Sequence, residues 1–377
     1  MSRYLFIIDT VKQGGAENIL LRFAEHLKKK NVKYKIFPLF GKELSNIIPG
    51  QLSANKNSFF LKFVQQMILK HRFRRLKRHF KPTVVFSFLE RSNIIAIDAN
   101  RGDCKTIISV HNNLAEQYKK FGWFKQRLVK ALVKKKYNGK ADKIIAVSQS
   151  IKKSLVNDFN IHENKILVIN NYIDPQKILR LSEEAVELEF NPEYFHLITI
   201  GRAEYQKAQW KILKALSYLT HQKGGSKFKL LILGDGKYLS RLKQQVSDLK
   251  IDHLVYFKGF VSNPFPYLKK SDLLVLPSIY EGFPVVISEA AILQTPFVGS
   301  RKAIPIEVYN SHSSWETFTY DNVHTDPDFS TKILSDDILL AELIQTGIHQ
   351  QDQIIQSSSN WLSENTEKKI FEQYMSL

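Results

Sequence analysis

The sequence predicts an α/β protein built as two doubly wound parallel-sheet domains, and three observations lead there. The chain has 377 residues, more than one core supports, since single hydrophobic cores stop growing beyond about 250 to 300 residues. Short apolar runs rich in Val, Ile, Leu and Phe alternate with helical patterns through both halves, the mark of parallel strands buried on both faces and joined by helical crossovers. An acidic, weakly patterned stretch from Asp174 to Glu193, with Pro175 and Pro192 near its ends, separates the two series and reads as a linker.

Taken in order, Tyr4 to Ile8, Tyr34 to Leu39, Thr83 to Phe88, Thr106 to Val110, Lys143 to Val147 and Lys165 to Ile169 read as the first strand set, being nearly continuous in β-branched and large apolar residues. Helical patterns over Ala16 to Lys29, Ser58 to Phe80 and Phe124 to Tyr137 separate them. The second set is Phe195 to Ile200, Phe228 to Leu233, Leu254 to Phe257, Leu273 to Leu276 and Pro296 to Gly299, split by Trp210 to Thr220 and Lys237 to Leu249. The expected division is a first domain over 1–180, a second over 181–355, and a C-terminal segment over 356–377, with a helix from Trp361 to Tyr374 expected to pack back on the first domain. Two such sheets offer strand carboxyl ends to a shared cleft, where open α/β sheets bind ligands.

Composition excludes several classes. An apolar content of 44% is ordinary for a globular chain, and no internal repeat period suggests a solenoid. The single cysteine, Cys104, rules out an internal disulfide framework and a cysteine-based zinc site and reads as a small buried side chain. The first apolar run is broken by Asp9, so it reads as a strand rather than a signal segment. No apolar stretch approaches the roughly 20 residues that span a bilayer, and the expected location is the cytoplasm, peripheral on the inner membrane face.

Charge is divided unevenly: residues 1–180 hold 36 Lys and Arg against 12 Asp and Glu, whereas residues 181–377 hold 19 against 24. The excess concentrates in Phe59 to Lys81 and Lys119 to Lys143, where basic residues interleave with Phe, Trp, Leu and Val. Phe59, Phe60, Phe63, Val64, Met67 and Ile68 recur at helical spacing beside the cations, a pattern suited to an anionic membrane surface. A nucleic-acid module is the weaker reading, because no recognised nucleic-acid signature is present.

The densest chemistry lies in Pro277 to Leu293, PSIYEGFPVVISEAAIL. A strand ends, a Gly-containing turn follows, and a helix begins near Val285. Glu281 falls on the turn and Glu289 about one helical turn inside, so both can address a ligand across the helix N-terminus, whose free N–H groups and dipole suit a diphosphate. A carboxylate one turn in can accept from ribose hydroxyls, and the turn carboxylate can face sugar hydroxyls or a positive charge. Asp326-Pro327-Asp328 is too late and loop-like for a metal-binding pair.

This segment resembles the E-x7-E signature of the retaining glycosyltransferases of family 4, which have the GT-B fold. Gly201-Arg202 with Gln206-Lys207 is similar to the family's G-R-x(3)-Q-K element, and Leu231 to Gly236 to its next strand and glycine turn. Gly259-Phe260-Val261, Pro266-Tyr267-Leu268 and Ser271-Asp272 resemble the base-binding run. In the first half Gly14-Gly15-Ala16-Glu17, Ser109-Val110-His111-Asn112, Ala146-Val147-Ser148 and Asn171 also match, in the family's order. The chain departs from the family after Glu289, where Gly299-Ser300 replaces a glycine pair, and at Tyr172.

The resemblance implies two Rossmann-like domains facing across a cleft and a metal-independent transfer, without cofactor, from a nucleoside-diphosphate sugar, UDP more than GDP, to a glycan or lipid-linked acceptor of a bacterial surface glycan. It implies catalytic roles for His111, Glu281, Arg202 and Lys207, with the two cations neutralising the diphosphate in place of a metal. It assigns the donor to Gly15, Gly201, Gly234, Val261, Gly282, Phe283, Pro284, Val285 and Glu289, and the acceptor side to Gly14, Asn112, Ser148 and Asn171. The alternatives are a nucleotide-sugar binding protein without catalysis and a basic nucleic-acid-binding module.

Overall fold

The computed structural model describes residues 2–11, 15–40, 59–119, 121–221, 227–309, 312–364 and 366–377. Two compact units result: Met1–Tyr172 with Lys368–Leu377, and Ile173–Glu367.

In the first unit β1 (Arg3–Ile8), β2 (Lys33–Pro38), β3 (Val84–Phe88), β4 (Lys105–Val110), β5 (Lys143–Ala146) and β6 (Ile166–Val168) form one parallel sheet in the order β2-β1-β3-β4-β5-β6. Leu5 to Ile8 are buried throughout, as continuous apolar runs require in a sheet covered on both faces. The crossovers are α1 (Gly15–Lys29), α2 (Phe59–Phe80), α3 (Glu90–Ala99), α4 (Leu114–Tyr118) with α5 (Trp123–Lys140), and α6 (Gln149–Phe159). The order reverses between β1 and β3, and such a switch point opens a crevice at the strand carboxyl ends.

The second unit repeats the plan with β7 (Phe195–Ile200), β8 (Phe228–Leu233), β9 (Val255–Gly259), β10 (Leu273–Leu276), β11 (Phe297–Ser300) and β12 (Thr319–Tyr320). Their order is β12-β11-β10-β7-β8-β9, the dinucleotide-binding order with its switch between β7 and β10. Helices α7 (Pro175–Ser182), α8 (Gln209–His221), α9 (Leu239–Asp248), α10 (Phe265–Lys269), α11 (Val285–Ile292), α12 (His312–Thr317), α13 (Ser335–His349) and α14 (Gln351–Glu364) complete it. The last helix, α15 (Glu367–Ser376), packs in the first unit. Its Phe371 stacks on Phe23 of α1 with centroids 5.6 Å apart, and Tyr374 joins the same aromatic cluster with Phe86.

Three expectations are corrected. The stretch after Asp174 is not all linker: Asp174 accepts from the Lys177 N–H at 3.2 Å and Pro175 opens α7, a cap and first-turn proline that start a helix. Because α7 packs with the second unit, the boundary falls at Tyr172 rather than at 180/181. The C-terminal segment is two helices, one in each unit, where the sequence suggested one. The third correction is Lys77, expected among the surface cations, which is buried with its Nζ 2.7 Å from Asp103. The apolar residues Phe59, Phe60 and Phe63 lie outside the residues whose side chains are described, while Met67 and Ile68 are exposed and Leu69 and Phe73 sit in the core.

Candidate active site

The second unit's switch point brings together the strongest sequence candidates. Strand β7 delivers Gly201 and Arg202, and a one-turn helix over Tyr205–Lys207 follows. The strand ends are locked by Gly201 N–H donating to Leu233 O at 2.9 Å and Gly234 N–H to Gly259 O at 2.7 Å. A Cβ on Gly234 would lie 2.0 Å from the Gly201 carbonyl oxygen, and one on Gly201 would lie 2.7 Å from Lys207 Cε. Gly234 is therefore needed for the two strand ends to approach, and Gly201 leaves room for the Lys207 side chain to cross.

Lys207 Nζ reaches Glu281 Oε1 at 2.7 Å, and Gln206 Nε2 donates to Glu281 Oε2 at 3.0 Å. Backbone bonds from Ile279 N to Gln206 O and from Glu281 N to Lys302 O fix the turn. Glu281, buried on that turn, faces a positive charge, one of the two roles its position allowed. Glu289 lies on α11. Burial pushes its carboxyl up to about 7, against the field of Lys207. One ammonium thus serves two carboxyls, both oxygens of Glu281 are engaged, and among the described residues no hydrogen bond reaches the Glu289 carboxyl. That carboxyl is free to accept from a ligand hydroxyl.

Other assignments separate. Arg202 stands outside the cluster, its side chain 75% exposed and 3.8 Å from Glu204. Phe283 is buried, its ring packed against Trp361 with centroids 5.5 Å apart. Gly282 and Pro284 are buried in the turn, while Val285, at the start of α11, and Val261, after β9, are half-buried. Ser300 stands in place of a second glycine, and its hydroxyl donates to Ser278 O beneath the Glu281 turn. Asp328 is structural: burial pushes it up, but bonds from Lys214 at 2.5 Å and from Ser330 outweigh that and hold it at about 2.

In the first unit His111 follows β4 as expected. Its Nε2 lies 2.9 Å from Ser109 Oγ, its ring packs near Phe88, and burial pulls its pKa down to about 4. The imidazole is neutral at physiological pH. It lines a cavity of about 470 Å³ with Asp9, Glu90, Asn93 and Asn112. Asn112 is exposed there. Ser148 is elsewhere engaged, capping α6 by accepting from Ile151 N–H. Asn171 is buried with its Oδ1 unpartnered. Gly15 opens α1, and Gly14 lies outside the described residues.

Asp9, Glu90 and Asn93 were not singled out from sequence. Asp9 accepts from Ser92 N–H and Oγ–H, at 3.2 and 2.6 Å. Glu90 accepts from Tyr137 OH at 2.9 Å and Tyr118 OH at 3.3 Å; burial raises its pKa against both bonds. Asn93 donates to Ser109 O at 2.9 Å and accepts from Ser87 Oγ at 2.5 Å, so it anchors the strand end that holds His111. Leu89, at φ +74°, turns the chain from β3 into α3, and a non-glycine residue held there marks a constrained turn. The signal was available: these residues follow a buried strand as His111 does.

Residues 13–177 match the family model "Glycosyltransferase Family 4" and residues 182–350 match "Glycosyl transferases group 1". Among curated relatives, the N-acetylgalactosamine-N,N'-diacetylbacillosaminyl-diphospho-undecaprenol 4-alpha-N-acetylgalactosaminyltransferase of Campylobacter jejuni is 26% identical over 77% of this chain and 78% of its own. An uncharacterised glycosyltransferase of Methanocaldococcus jannaschii is 31% identical over 62% of this chain, and the match spans 59% of that relative's length. The crystal structure of Anabaena HepE in complex with UDP-glucose superposes with TM-score 0.68 at 17% identity, covering 100% of both chains. The lipopolysaccharide outer core galactosyltransferase WaaB gives 0.66 at 16%, covering 99% of this chain and 98% of its own. Those likenesses carry the fold, which is GT-B.

Proposed function

Because the chain belongs to the family 4 glycosyltransferases, we propose that it transfers a sugar, with retention and without a metal, from a nucleoside-diphosphate sugar to a lipid-linked glycan acceptor. The observation that carries this reading is the Lys207–Glu281 pair with the Glu289 carboxyl beside it, at the switch point of the second sheet. Glu281 holds Lys207 in place, and the remaining N–H groups of its ammonium are donors for diphosphate oxygens. Glu289 accepts from ribose hydroxyls, and ionising it inside the site is favoured by the same lysine. Arg202, exposed at the surface, adds a second cation when phosphate charge draws it in.

Preorganised charge then carries most of the rate. On a front-side route the departing phosphate takes the acceptor's proton as the new glycosidic bond forms, so no dedicated base is required. His111, neutral and braced by Ser109, serves as a hydrogen-bonding group toward a sugar hydroxyl. UDP is the proposed nucleotide, supported by the UDP-glucose held in the Anabaena structure. A polyprenyl-diphosphate-linked acceptor is supported by the names of two Campylobacter jejuni relatives, both of which act on undecaprenol-linked glycans.

The proposed place of work is an anionic membrane surface on the cytoplasmic side. Helix α5 supports it: Trp123, Phe124, Leu128 and Leu132 are all exposed, Phe124 at 75%, and Lys125, Arg127, Lys134 and Lys135 flank them. Apolar side chains ringed by cations fit a leaflet of negative lipids. Among the described residues no helix is long and apolar enough to cross a membrane. The test is incubation with a panel of UDP- and GDP-sugars, with and without chelator, reading nucleotide release and transfer to a polyprenyl-diphosphate glycan. Donor binding without release, with every acceptor, leaves a binding protein; activity lost to chelator and restored by Mg or Mn removes the metal-free mechanism.

A further inference from the structure

A second cavity, of about 170 Å³, lies in the first unit and is lined by His71, Arg74, Lys77, Arg78, Arg101 and Asp103. It lies at the opposite, amino end of the strands. Arg101 and Asp103 precede β4 whereas His111 follows it, and six residues of strand at about 3.3 Å each put the two cavities roughly 20 Å apart.

Its walls are built rather than draped. Lys77 is buried, and its Nζ bonds Asp103 Oδ1 at 2.7 Å and approaches Ala99 O at 3.4 Å. Burial raises the Asp103 carboxyl, but Lys77 outweighs it and holds the group below its ordinary range, so the carboxylate is ionised and already committed. Arg74 donates Nη2–H to Asp98 O at 2.5 Å, while its buried Nε has no hydrogen-bond partner. Arg78 and Arg101 are exposed at the rim. Four permanent cations thus converge on one space with a single carboxylate, which is neutralised by the most buried of them. The three guanidiniums have no further carboxylate among the residues that line the cavity, and like charges around one space repel unless an anion joins them. The volume is that of about six waters in the liquid, enough for one tetrahedral oxyanion and some of its hydration. Guanidinium forks match the oxygens of such a group in geometry as well as charge.

We propose that this cavity is a binding site for a phosphate group, separate from the sugar-transfer site and independent of the transferase reading. The phosphate belongs either to a lipid headgroup or to a soluble phosphate compound. The probe is inorganic phosphate, titrated by calorimetry into the full chain against chloride of matched ionic strength. The variant is Arg78→Gln/Arg101→Gln, whose exposed side chains leave the fold intact, as an unchanged unfolding midpoint without phosphate verifies. The expected result is saturable binding in the parent that weakens about tenfold or more in the variant. Lys134→Gln/Lys135→Gln, the same charge change on α5, should leave binding unaltered. Asp103→Asn frees Lys77 and should tighten it.

Vesicles containing phosphatidylglycerol separate the sources. Release of bound protein by phosphate beyond that caused by matched chloride assigns a headgroup, and phosphate binding without such competition assigns a soluble compound. Equal phosphate binding by parent and Arg78→Gln/Arg101→Gln, or no binding beyond the chloride control, overturns the proposal.

Discussion

Replacing Glu289 with Gln should make the protein more stable and a worse enzyme at once. The carboxyl ionises near 7 when folded against 4.5 unfolded because burial disfavours its charge. For a carboxyl raised in this way the unfolded chain gives up its proton first, so stability falls as pH rises from 4.5 to about 7 and is flat above. The shift is worth up to about 3 kcal/mol at pH 8. Gln keeps the shape and removes the titration. For a unit of this size the gain corresponds to an unfolding midpoint about 6 to 12 °C higher at pH 8, and to little change at pH 4.5. Loss of a charged acceptor for donor hydroxyls should lower kcat/KM for the same variant about 10- to 150-fold. Thermal unfolding at both pH values, with initial rates at pH 8, checks both halves. A midpoint gain that is equal at the two pH values refutes the burial argument, and undiminished transfer refutes the role toward the donor.

Several further outcomes are expected. Lys207→Met leaves Glu281 buried without its cation and should lower kcat/KM by at least 10²-fold, with a destabilisation of about 3 kcal/mol measurable by urea unfolding; a near-normal rate excludes it from the site. Because His111 titrates near 4, the pH profile of kcat/KM should show no imidazole inflection between 6 and 8. Any inflection near 7 should vanish in Glu289→Gln, and its persistence there assigns it elsewhere. Phe371→Ala removes a ring stacked on Phe23 and should cost about 3 to 5 kcal/mol in the first unit, read by chemical denaturation. Phe124→Ser/Leu128→Ser on α5 should weaken sedimentation with anionic vesicles while donor hydrolysis in solution stays unchanged, and equal pelleting removes α5 from the membrane contact.

What the sequence made legible follows from how local each feature is. Strands buried on both faces announce themselves as apolar runs, and all but the two-residue β12 were readable. Glu281 and Glu289 share one turn and one helix, so their spacing already placed them together; Lys207 joins them because β7 and β10 are neighbours, which the order of strands alone decides. Helix α3, ERSNIIAIDA, buries Ser92 and Asn93 along with its apolar residues, and polar side chains on the buried face blur the 3.6-residue rhythm. For Arg202 and Ser148 the family pattern fixes the position in the chain but not the surroundings: one side chain stands in solvent and the other caps a helix. Asp9 and Ser92 meet across 83 residues because β1 and β3 pair at the switch. No window of sequence contains that pairing. The candidate clusters of the two units nevertheless obey one rule, that polar residues placed just beyond a buried parallel strand address a ligand when their strands flank the reversal of order. Applied in spatial rather than sequential order, that rule takes Gly201 with Glu281 in the second unit and Asp9 with Glu90 in the first, so the residues missed in the first unit are the counterparts of those found in the second.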